Sequence, residues 1–571
     1  MAAAEFQVAG GNRQALFTLK VHRGDGMALL AMNWKDGRPP DDFVGFGIEY
    51  REPGGDRFYP LKNRLAFPTP GGGLNPNQLS TLQSPIQKFR WVHFPRNADL
   101  DGDFTYQVTP VFMGGDDALS YGDPQTVAIE LRRDTYPGIL NVAFTRGFVS
   151  SQAFVDFYES AGPISTLLPP NADAGLDFVP THPKADKALA WMGFEARRAI
   201  LDVLDAAVAD TQAKVSVIAY DLNEPEVVGR LKGLGGRLRI IVDDSDAHGE
   251  PGSAETRAAG ELALSAGGEN VRRQHVLNLQ HNKVIVVDGP RGRTVVCGST
   301  NFSWRGFYVQ NNNALVLQGA TAVAAYQAAF DAYWTGPAKD FGGTASAKWA
   351  KLGLQGIDAR VAFSPHSASN AMLAKIADDI GRHTTSSLLF SLAFLYQTPG
   401  PVLTAIQDVT ARDGVFVYGI SDRRVGGFDF LKPDGNVAPV YPSQLRKGIP
   451  PPFSAEPTGG GGIRMHHKFV VIDFDKPTAR VYLGSYNFSN PADTKNGENL
   501  LRIRNRRIAV SFMIEALRIC DHYDFRVSQS SYEKAGTPFV LRKPPRGPGD
   551  VAWWQKDYTD ARRIRDRELF A

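Results

Sequence analysis

Two copies of one short pattern, His-x-Lys-x-x-x-x-Asp, lie far apart in the sequence. Their members are His281, Lys283 and Asp288 in the first copy, and His466, Lys468 and Asp473 in the second. Side chains two residues apart on a strand point to the same face, so the histidine and the lysine of each copy project together. The residues between lysine and aspartate are apolar, as in a buried strand. Because a buried ammonium needs a partner, we expect an anion to be held between the two copies.

A second repeated pattern, Gly-Ser-x-Asn, follows each copy. Its members are Gly298, Ser299 and Asn301, and Gly484, Ser485 and Asn487. Glycine permits a tight turn with close backbone approach, while serine hydroxyls and asparagine amides suit phosphate oxygens. We therefore predict that the serines bind substrate and that the asparagines act in catalysis on a phosphodiester, whose negative charge grows in the transition state. No Asp/Glu cluster with metal spacing occurs near these residues in the sequence, so we expect chemistry without a metal or another cofactor.

The two histidines are predicted to divide the work. One attacks phosphorus and forms a phosphohistidine, and the other protonates the leaving oxygen and then deprotonates water. A neighbouring carboxylate favours the charged imidazolium more than a neutral amide does. The position 11 residues after the motif asparagine is Asn312 in the first half and Glu498 in the second. We therefore predict that Glu498 orients His466 as the general acid and base. Asn312 is predicted to orient His281 as the nucleophile.

Several neighbouring residues receive a structural interpretation. Asp288 and Asp473 end their predicted strands and are interpreted as anchors of turns. His467 points to the opposite face from His466 and is predicted to be a packed core residue. Trp304 and Phe307 are predicted to pack under their loop, or alternatively to stack on a substrate group.

The elements that must position these residues recur in one order. Four segments repeat, at 142–147 and 361–366, 281–288 and 466–473, 297–303 and 483–489, and 310–317 and 496–503. Each series runs into a predicted helix, at 321–334 and 510–523. Apolar runs predict strands at 214–222, 237–245, 386–396 and 415–422, and helical periodicity predicts helices at 188–210, 371–382 and 401–414. This alternation indicates a duplicated α/β lobe with pseudo-two-fold symmetry.

The N-terminal region follows a different pattern. Short, partly alternating segments at 15–21, 43–50, 88–94, 104–113 and 126–133 predict an all-β, immunoglobulin-like or fibronectin-III-like sandwich, or alternatively a β-rich decoration without its own core. The predicted units are the β module at 1–135, the lobes at 136–340 and 341–530, and a basic, aromatic-containing tail at 531–571. Segment 145–185 is predicted to be an insertion or lid, and 459–462 a glycine hairpin or a rim over the site. The tail either wraps back onto the protein or grips single-stranded nucleic acid.

The amino-acid composition restricts the class of protein, its partners and its compartment. Lys plus Arg number 63 against 60 acidic residues among 571, a net charge of +3, so a polyanionic partner must be held by a local patch. A 43% apolar content excludes disorder of the whole chain. Two cysteines form no disulfide framework, the first 20 residues do not resemble a secretory signal, and no long apolar run spans a bilayer. We therefore expect a cytoplasmic protein.

At the paired motifs the chain resembles the phospholipase D superfamily, whose two HKD motifs are both complete here, and the resemblance covers about 136–530. It implies two similar lobes facing each other, one active site at their junction, and no metal. It also implies that the N-terminal histidine, His281, is the nucleophile. The second motif looks most like the bacterial endonuclease and mitochondrial-type branch. Asn312 and the wide spacing from Asp288 to Gly298 depart from the usual pattern and bear on the substrate class.

Three functions stay open at this point. The first is hydrolysis of phospholipids, with phosphatidylcholine giving phosphatidic acid and free head group. The second is a nuclease with the same two-histidine mechanism, acting on single-stranded nucleic acid. The third is a silent binding scaffold. The N-terminal β module is predicted to recruit the protein to a surface or polymer, and the internal duplication means that no oligomer is required to complete the site.

Overall fold

The computed structural model describes the whole chain except residues 1–4, 69–78, 96, 99, 132–133, 148–153, 155–157, 396–398, 423–427 and 441–464. The glycine run 459–462 and part of the predicted insertion at 145–185 therefore lie outside the described residues.

The N-terminal region forms two antiparallel sheets. The first contains, in spatial order, β1 (Gln7–Ala9), β2 (Phe17–Arg23), β3 (Ala28–Trp34) and β6 (Arg90–His93). The second contains β5 (Tyr59–Pro60), β4 (Phe43–Arg51), β7 (Asp103–Met113) and β8 (Leu119–Tyr121), with β9 (Gln125–Glu130) paired to β7. Apolar side chains of both sheets share one buried cluster, in which the rings of Phe17 and Phe46 lie 5.1 Å apart. The prediction of a strand-rich N-terminal region is confirmed.

A mixed sheet carries the first motif. Its spatial order is β10 (Leu140–Phe144), β16 (Asn313–Gln318), β15 (Gly292–Gly298), β14 (Lys283–Gly289), β11 (Lys214–Ala219), β12 (Leu238–Val242) and β13 (Val271–Arg273). The helices of this segment are α1 (Ala185–Ala209), α2 (Pro225–Gly233), α3 (Ala254–Ala266) and α4 (Ala320–Thr335). Val284 and Val286 join one buried cluster while Ile285 and Val287 join another, so both faces of β14 are covered. That double burial explains the continuous apolar run of the motif strand.

A second mixed sheet carries the second motif. Its spatial order is β17 (Ala350–Lys351), β18 (Asp358–Ser364), β25 (Glu498–Arg504), β24 (Arg480–Gly484), β23 (Lys468–Ile472), β19 (Ser387–Leu392), β20 (Phe416–Asp422), β21 (Phe428–Leu431) and β22 (Val437–Val440). Its helices are α5 (Leu373–His383), α6 (Pro401–Thr410), α7 (Asn490–Thr494) and α8 (Arg506–Lys534). The predicted helices at 321–334 and 510–523 are confirmed as α4 and α8.

Six strands have the same spatial order and relative directions in the two mixed sheets. The order is β10-β16-β15-β14-β11-β12 in the first and β18-β25-β24-β23-β19-β20 in the second, and in each series only the last pair is parallel. Isolated bridges join the halves reciprocally, Gln280 to Gly497 and Asn311 to Met465. The residue before each motif histidine therefore lies beside the chain that enters the other half's β25 or β16.

The C-terminal segment folds back onto the rest of the chain. It contains α9 (Lys556–Thr559) and α10 (Ala561–Phe570). Trp554 is buried in the N-terminal cluster, and the ring of Phe570 stacks on Phe474 at 5.3 Å. The tail thus contacts both the N-terminal sheets and the second mixed sheet, as in the first of its two predicted arrangements. Within the part of the chain that the structure describes, no helix has the length and apolar character needed to cross a bilayer.

Candidate active site

The two motif histidines meet across the junction of the mixed sheets. Each lies two residues before a motif strand, His281 before β14 and His466 before β23. Their ring centroids are 6.3 Å apart, with an angle of 75° between the ring planes. Each residue is only 4% exposed. The structure therefore brings together the two imidazoles that the sequence places 185 positions apart.

The motif lysines are buried beside the histidines. The Lys468 ammonium donates a hydrogen bond to the carbonyl oxygen of His466 at 2.8 Å, and Lys283 makes the same bond to His281. Burial lowers the pKa of Lys283 to about 8, against the opposing charges of Glu498 and Asp221. Two ammonium groups fixed in this way give the site a positive charge that suits an anionic substrate.

The hydrogen bonds that orient the histidines cross between the halves. Nδ1 of His281 lies 2.8 Å from Oε2 of Glu498, and Nδ1 of His466 lies 2.8 Å from Oδ1 of Asn312. The prediction that Glu498 orients His466 and that Asn312 orients His281 is therefore wrong. The reason is the reciprocal bridging, which sets the residue before Glu498 beside Gln280 and the residue before Asn312 beside Met465.

The neighbouring bonds fix which nitrogen of each ring carries a proton. Asn312 uses its Nδ2 to donate to the carbonyl oxygen of Gly306 at 3.0 Å, and its Oδ1 also accepts from the Ser299 hydroxyl. That oxygen can only accept, so Nδ1 of His466 is the donor. The Glu498 carboxylate likewise accepts from Nδ1 of His281. Nε2 is thus the nitrogen left for chemistry in both rings.

Burial controls the charge of both imidazoles. It lowers the pKa of His281, against the opposing charge of Glu498. It lowers the pKa of His466 further, because Lys468 and Lys283 add to the effect of burial and, among the residues that the structure describes, no carboxylate contacts that ring. In the absence of an anion both rings are therefore neutral near pH 7.

The Gly-Ser-x-Asn residues hold the loops around the site. Gly298 and Gly484 have φ of 131° and 134°, and a Cβ at either position would collide with a carbonyl oxygen of the adjacent strand. The hydroxyls of Ser299 and Ser485 accept hydrogen bonds from the backbone N–H groups of Asn313 and Asn499, each at 3.0 Å. These bonds fix the entry to β16 and β25, and direct substrate binding by the two serines stays a prediction.

The motif asparagines both keep an acceptor atom available. Among the described residues, no partner meets Oδ1 of Asn301 or Oδ1 of Asn487, although both atoms are buried. Nδ2 of Asn301 donates to Oδ2 of Asp221 at 2.7 Å. Their predicted catalytic role stays a prediction.

The two motif aspartates lie at turns. Asp473 is buried and accepts from the N–H groups of Ser386 and Ser387, so it fixes the turn that precedes β19. The Asp288 side chain is about half exposed and pairs with Arg293 at 2.9 Å. Neither aspartate hydrogen-bonds a motif histidine in these contacts, which agrees with their interpretation as anchors.

The remaining aromatic and imidazole predictions concern packing. His467 is fully buried between Glu515, at 2.9 Å, and Asn313, at 3.2 Å. The Trp304 indole N–H donates to the carbonyl oxygen of Gly175 at 2.9 Å, and Phe307 is fully buried. These side chains therefore pack inside the fold, as predicted.

Sequence reasoning missed a group of side chains beside His281. The Tyr220 ring lies 4.7 Å from the His281 ring and 4.6 Å from the His248 ring. His248 contacts Asp243 through Nδ1 at 2.9 Å and Asp221 through Nε2 at 3.3 Å. The register could have revealed them, because Ala219 pairs with Lys283 and so places the end of the predicted strand 214–222 next to the motif.

Three side chains of this region have the spacing of a metal site. The ligand atoms of Asp221, His248 and Glu255 lie within 4.8 Å of one another. Both nitrogens of His248 already face carboxylates, and a Glu255 oxygen accepts from the N–H of Leu222 at 3.1 Å. These hydrogen bonds already occupy the atoms that would bind a metal ion, and we assign no metal to this group.

The segments that contain the two motifs are similar to known proteins. Residues 204–334 and 378–518, which contain the two motifs, match a family model described as "Cardiolipin synthase, PLD-like domain", where PLD stands for phospholipase D. The chain is 29% identical over 134 residues to the mitochondrial cardiolipin hydrolase of Chlamydomonas reinhardtii, a match that covers 24% of this chain and 55% of that protein. The chain thus spans about half the length of this curated relative.

Two solved structures are also similar. The phosphatidylserine synthase of Haemophilus influenzae Rd KW20 is 13% identical, with a TM-score of 0.41, over 60% of this chain and 92% of that chain. The phospholipase D family member Nuc from Salmonella typhimurium is 25% identical, with a TM-score of 0.21, over 24% of this chain and 86% of that chain.

Proposed function

Because the chain belongs to the phospholipase D superfamily, we propose that it hydrolyses phospholipid phosphodiesters through a phosphohistidine on His281. The observation that carries this proposal is the crossed pairing, in which the other half of the chain holds Nδ1 of each motif histidine. Both Nε2 atoms are left for chemistry, and rings 6.3 Å apart can contact one phosphate group together.

The proposed reaction has two steps. In the first, Nε2 of His281 bonds to phosphorus while the bond from phosphorus to the leaving oxygen breaks, and His466 gives that oxygen its proton. In the second, His466 takes a proton from water as the water oxygen bonds to phosphorus. The phosphorus–nitrogen bond then breaks, which releases a phosphate monoester and restores both histidines.

The crossed pairing removes the carboxylate from which the general-acid role of His466 was predicted, but it supplies a different reason for assigning the nucleophile to His281. Its imidazole becomes positively charged when Nε2 bonds to phosphorus, and the Glu498 carboxylate at 2.8 Å stabilises that charge. His466 faces a neutral amide, so it releases a proton readily once the anionic substrate has allowed it to bind one. Lys283 and Lys468 are proposed to hold the non-bridging phosphate oxygens.

The lipid assignment rests on the names of the matched family and relative, both of which refer to cardiolipin. Phosphatidylcholine, cleaved to phosphatidic acid and free choline, is the proposed substrate from the sequence. Cardiolipin, a phosphodiester of the same glycerol type, is the second lipid to be tested. We propose that the shared strand order reflects an internal duplication, and that the N-terminal sheets form a sandwich that recruits the enzyme to a surface.

The substrate test compares wild type with His281→Ala in the presence of EDTA. The substrates are phosphatidylcholine vesicles, cardiolipin vesicles and single-stranded DNA. The matched control is His383→Ala, which removes an imidazole that is 62% exposed on α5. Lipid turnover that persists in the control and vanishes in His281→Ala supports the proposal. DNA cleavage with the same dependence would replace it with a nuclease, and inactivity on all three would favour a binding scaffold.

The mechanism test uses His466→Ala and bis(p-nitrophenyl) phosphate, whose leaving group departs without protonation. We expect one burst of nitrophenolate, followed by accumulation of a phosphoryl adduct because no base activates water. Mass spectrometry after a neutral quench should locate the adduct on the peptide that contains His281. An adduct on the peptide that contains His466 in the His281→Ala variant would reverse the assignment.

A further inference from the structure

We propose that His248 is a positioning residue for this reaction: its imidazolium balances the carboxylates that brace the first motif and so keeps the site receptive to an anion. The inference rests on the proposed function for its kinetic readout. It concerns residues outside both repeated motifs.

Two carboxylates brace the first motif from one side. Asp221 accepts from Nδ2 of Asn301 at 2.7 Å, and Asp243 accepts from the N–H of Gln280, which precedes His281, at 2.6 Å. His248 lies between them, with Nδ1 at 2.9 Å from Asp243 and Nε2 at 3.3 Å from Asp221. An imidazole whose two nitrogens both face carboxylates is a double donor, which is the charged form.

Without the His248 imidazolium, the carboxylates of Asp221 and Asp243 would weaken anion binding. Asp221 and Asp243 lie close enough to Lys283 to raise its pKa against burial. The same two negative charges would repel an anionic phosphodiester held by that lysine and would weaken its binding. His248 offsets one of these charges, so the carboxylates can hold the motif without repelling the substrate.

Titratable and charged groups surround His248, and the carboxylates among them keep it charged over a wide pH range. The surrounding groups are Tyr220 and Asp221 after β11, Asp243 after β12, Glu255 on α3, and Arg273 on β13, which donates to the His248 carbonyl oxygen. Burial alone would lower the pKa of His248, but its bonds to Asp221 and Asp243 raise it to about 10. His248 therefore stays positively charged beside Asp221 and Asp243 throughout the pH range in which the catalytic histidines titrate.

One of the two bracing carboxylates, Asp221, has no acidic counterpart in the register of the second half. Ala219 pairs with Lys283 and Leu392 pairs with Lys468, so the register aligns Asp221 with Phe394. The second motif therefore has a phenylalanine at the position equivalent to Asp221, and this position distinguishes the surroundings of His281 from those of His466.

The test uses two variants whose effects should have opposite signs. His248→Gln removes a positive charge, so we expect the KM for bis(p-nitrophenyl) phosphate to rise about tenfold, with kcat changed less than threefold. That size corresponds to one charge about 10 Å from the phosphate at an effective dielectric constant of about 20. Asp221→Asn removes a negative charge and should lower the KM, while the double variant should return within about threefold of wild type. The KM effect of His248→Gln should be constant from pH 6 to 8.

Binding of inorganic tungstate, a tetrahedral dianion, provides a readout that needs no turnover. Isothermal titration calorimetry should show weaker binding to His248→Gln and tighter binding to Asp221→Asn. Weaker binding to both variants, or no rescue in the double variant, would mean that His248 only supports the fold. If His248→Gln does not fold, the sign of the Asp221→Asn effect decides. If tungstate binding follows these trends across wild type and the variants but wild type cleaves no phosphodiester, the proposed function is overturned and this inference stands. Absence of both tungstate binding and turnover would overturn both.

Discussion

Replacing Glu498 by glutamine tests the charge relationship at the centre of the proposed mechanism. The Glu498 side chain is fully buried, and its Oε2 accepts from Nδ1 of His281 at 2.8 Å. Glutamine has nearly the same shape and keeps an acceptor oxygen, so the ring orientation should survive. What is lost is the negative charge that stabilises His281 while its Nε2 is bonded to phosphorus.

The expected size follows from the strength of this bond. A hydrogen bond to a charged group contributes about 1.5–3 kcal/mol. At about 1.4 kcal/mol per decade of rate, the first step should slow by about 10- to 150-fold. Stopped-flow measurement of nitrophenolate release from bis(p-nitrophenyl) phosphate under single-turnover conditions reports this step directly, because its leaving group needs no general acid.

The reciprocal position supplies the matched comparison. Asn312→Asp adds a carboxylate behind His466, 2.8 Å from its Nδ1 in the present side-chain geometry. This variant should raise the pKa of His466 and move the pH profile of the second step, with little effect on the burst. A burst in Glu498→Gln within threefold of wild type, or a burst slowed equally by Asn312→Asp, would refute the assigned roles.

Three further predictions concern pH and stability. Because burial lowers the pKa of Lys283 to about 8, kcat/KM should fall as pH rises above 8. Burial raises the pKa of Asp25 from 3.8 to about 6, so its protonated form stabilises the fold at low pH. That contribution should be lost as pH rises through about 6 in urea unfolding. Asp25→Asn should reduce this pH dependence without abolishing it, because burial also raises the pKa of the neighbouring Glu195 carboxyl. Trp554→Ala should cost about 3–5 kcal/mol of unfolding free energy, whereas Leu264→Ala, at a position 90% exposed, should change it by less than about 0.5 kcal/mol.

Much of the architecture could be predicted because the sequence repeats itself. The aligned segments around 281–288 and 466–473 placed the motif strands, and their apolar residues indicated strands covered on both faces. The helices that became α4 and α8 followed from their position after each series. The spacing and the order of the repeated segments can be read from the sequence alone, so their prediction needs no knowledge of tertiary contacts.

The errors and omissions concern contacts between segments that are distant in the chain. Asn312 and Glu498 follow their own motifs closely, and the sequence favoured pairing each with its own histidine. The pairing depends instead on how the halves dock, which the bridges from Gln280 to Gly497 and from Asn311 to Met465 determine. His248 was missed for the same reason, since it follows β12 and reaches the site through the pairing of β12 with β11 and of β11 with β14.

Crossed pairing affects how such a chain can diverge. In a homodimer of a half-length polypeptide, each substitution would arrive twice, and both rings would always face the same residue. A single gene that encodes both halves escapes this restriction, so an amide at 312 can coexist with a carboxylate at 498. Two halves in one chain can therefore differ in the residues that face the two rings, a freedom that a symmetric homodimer lacks.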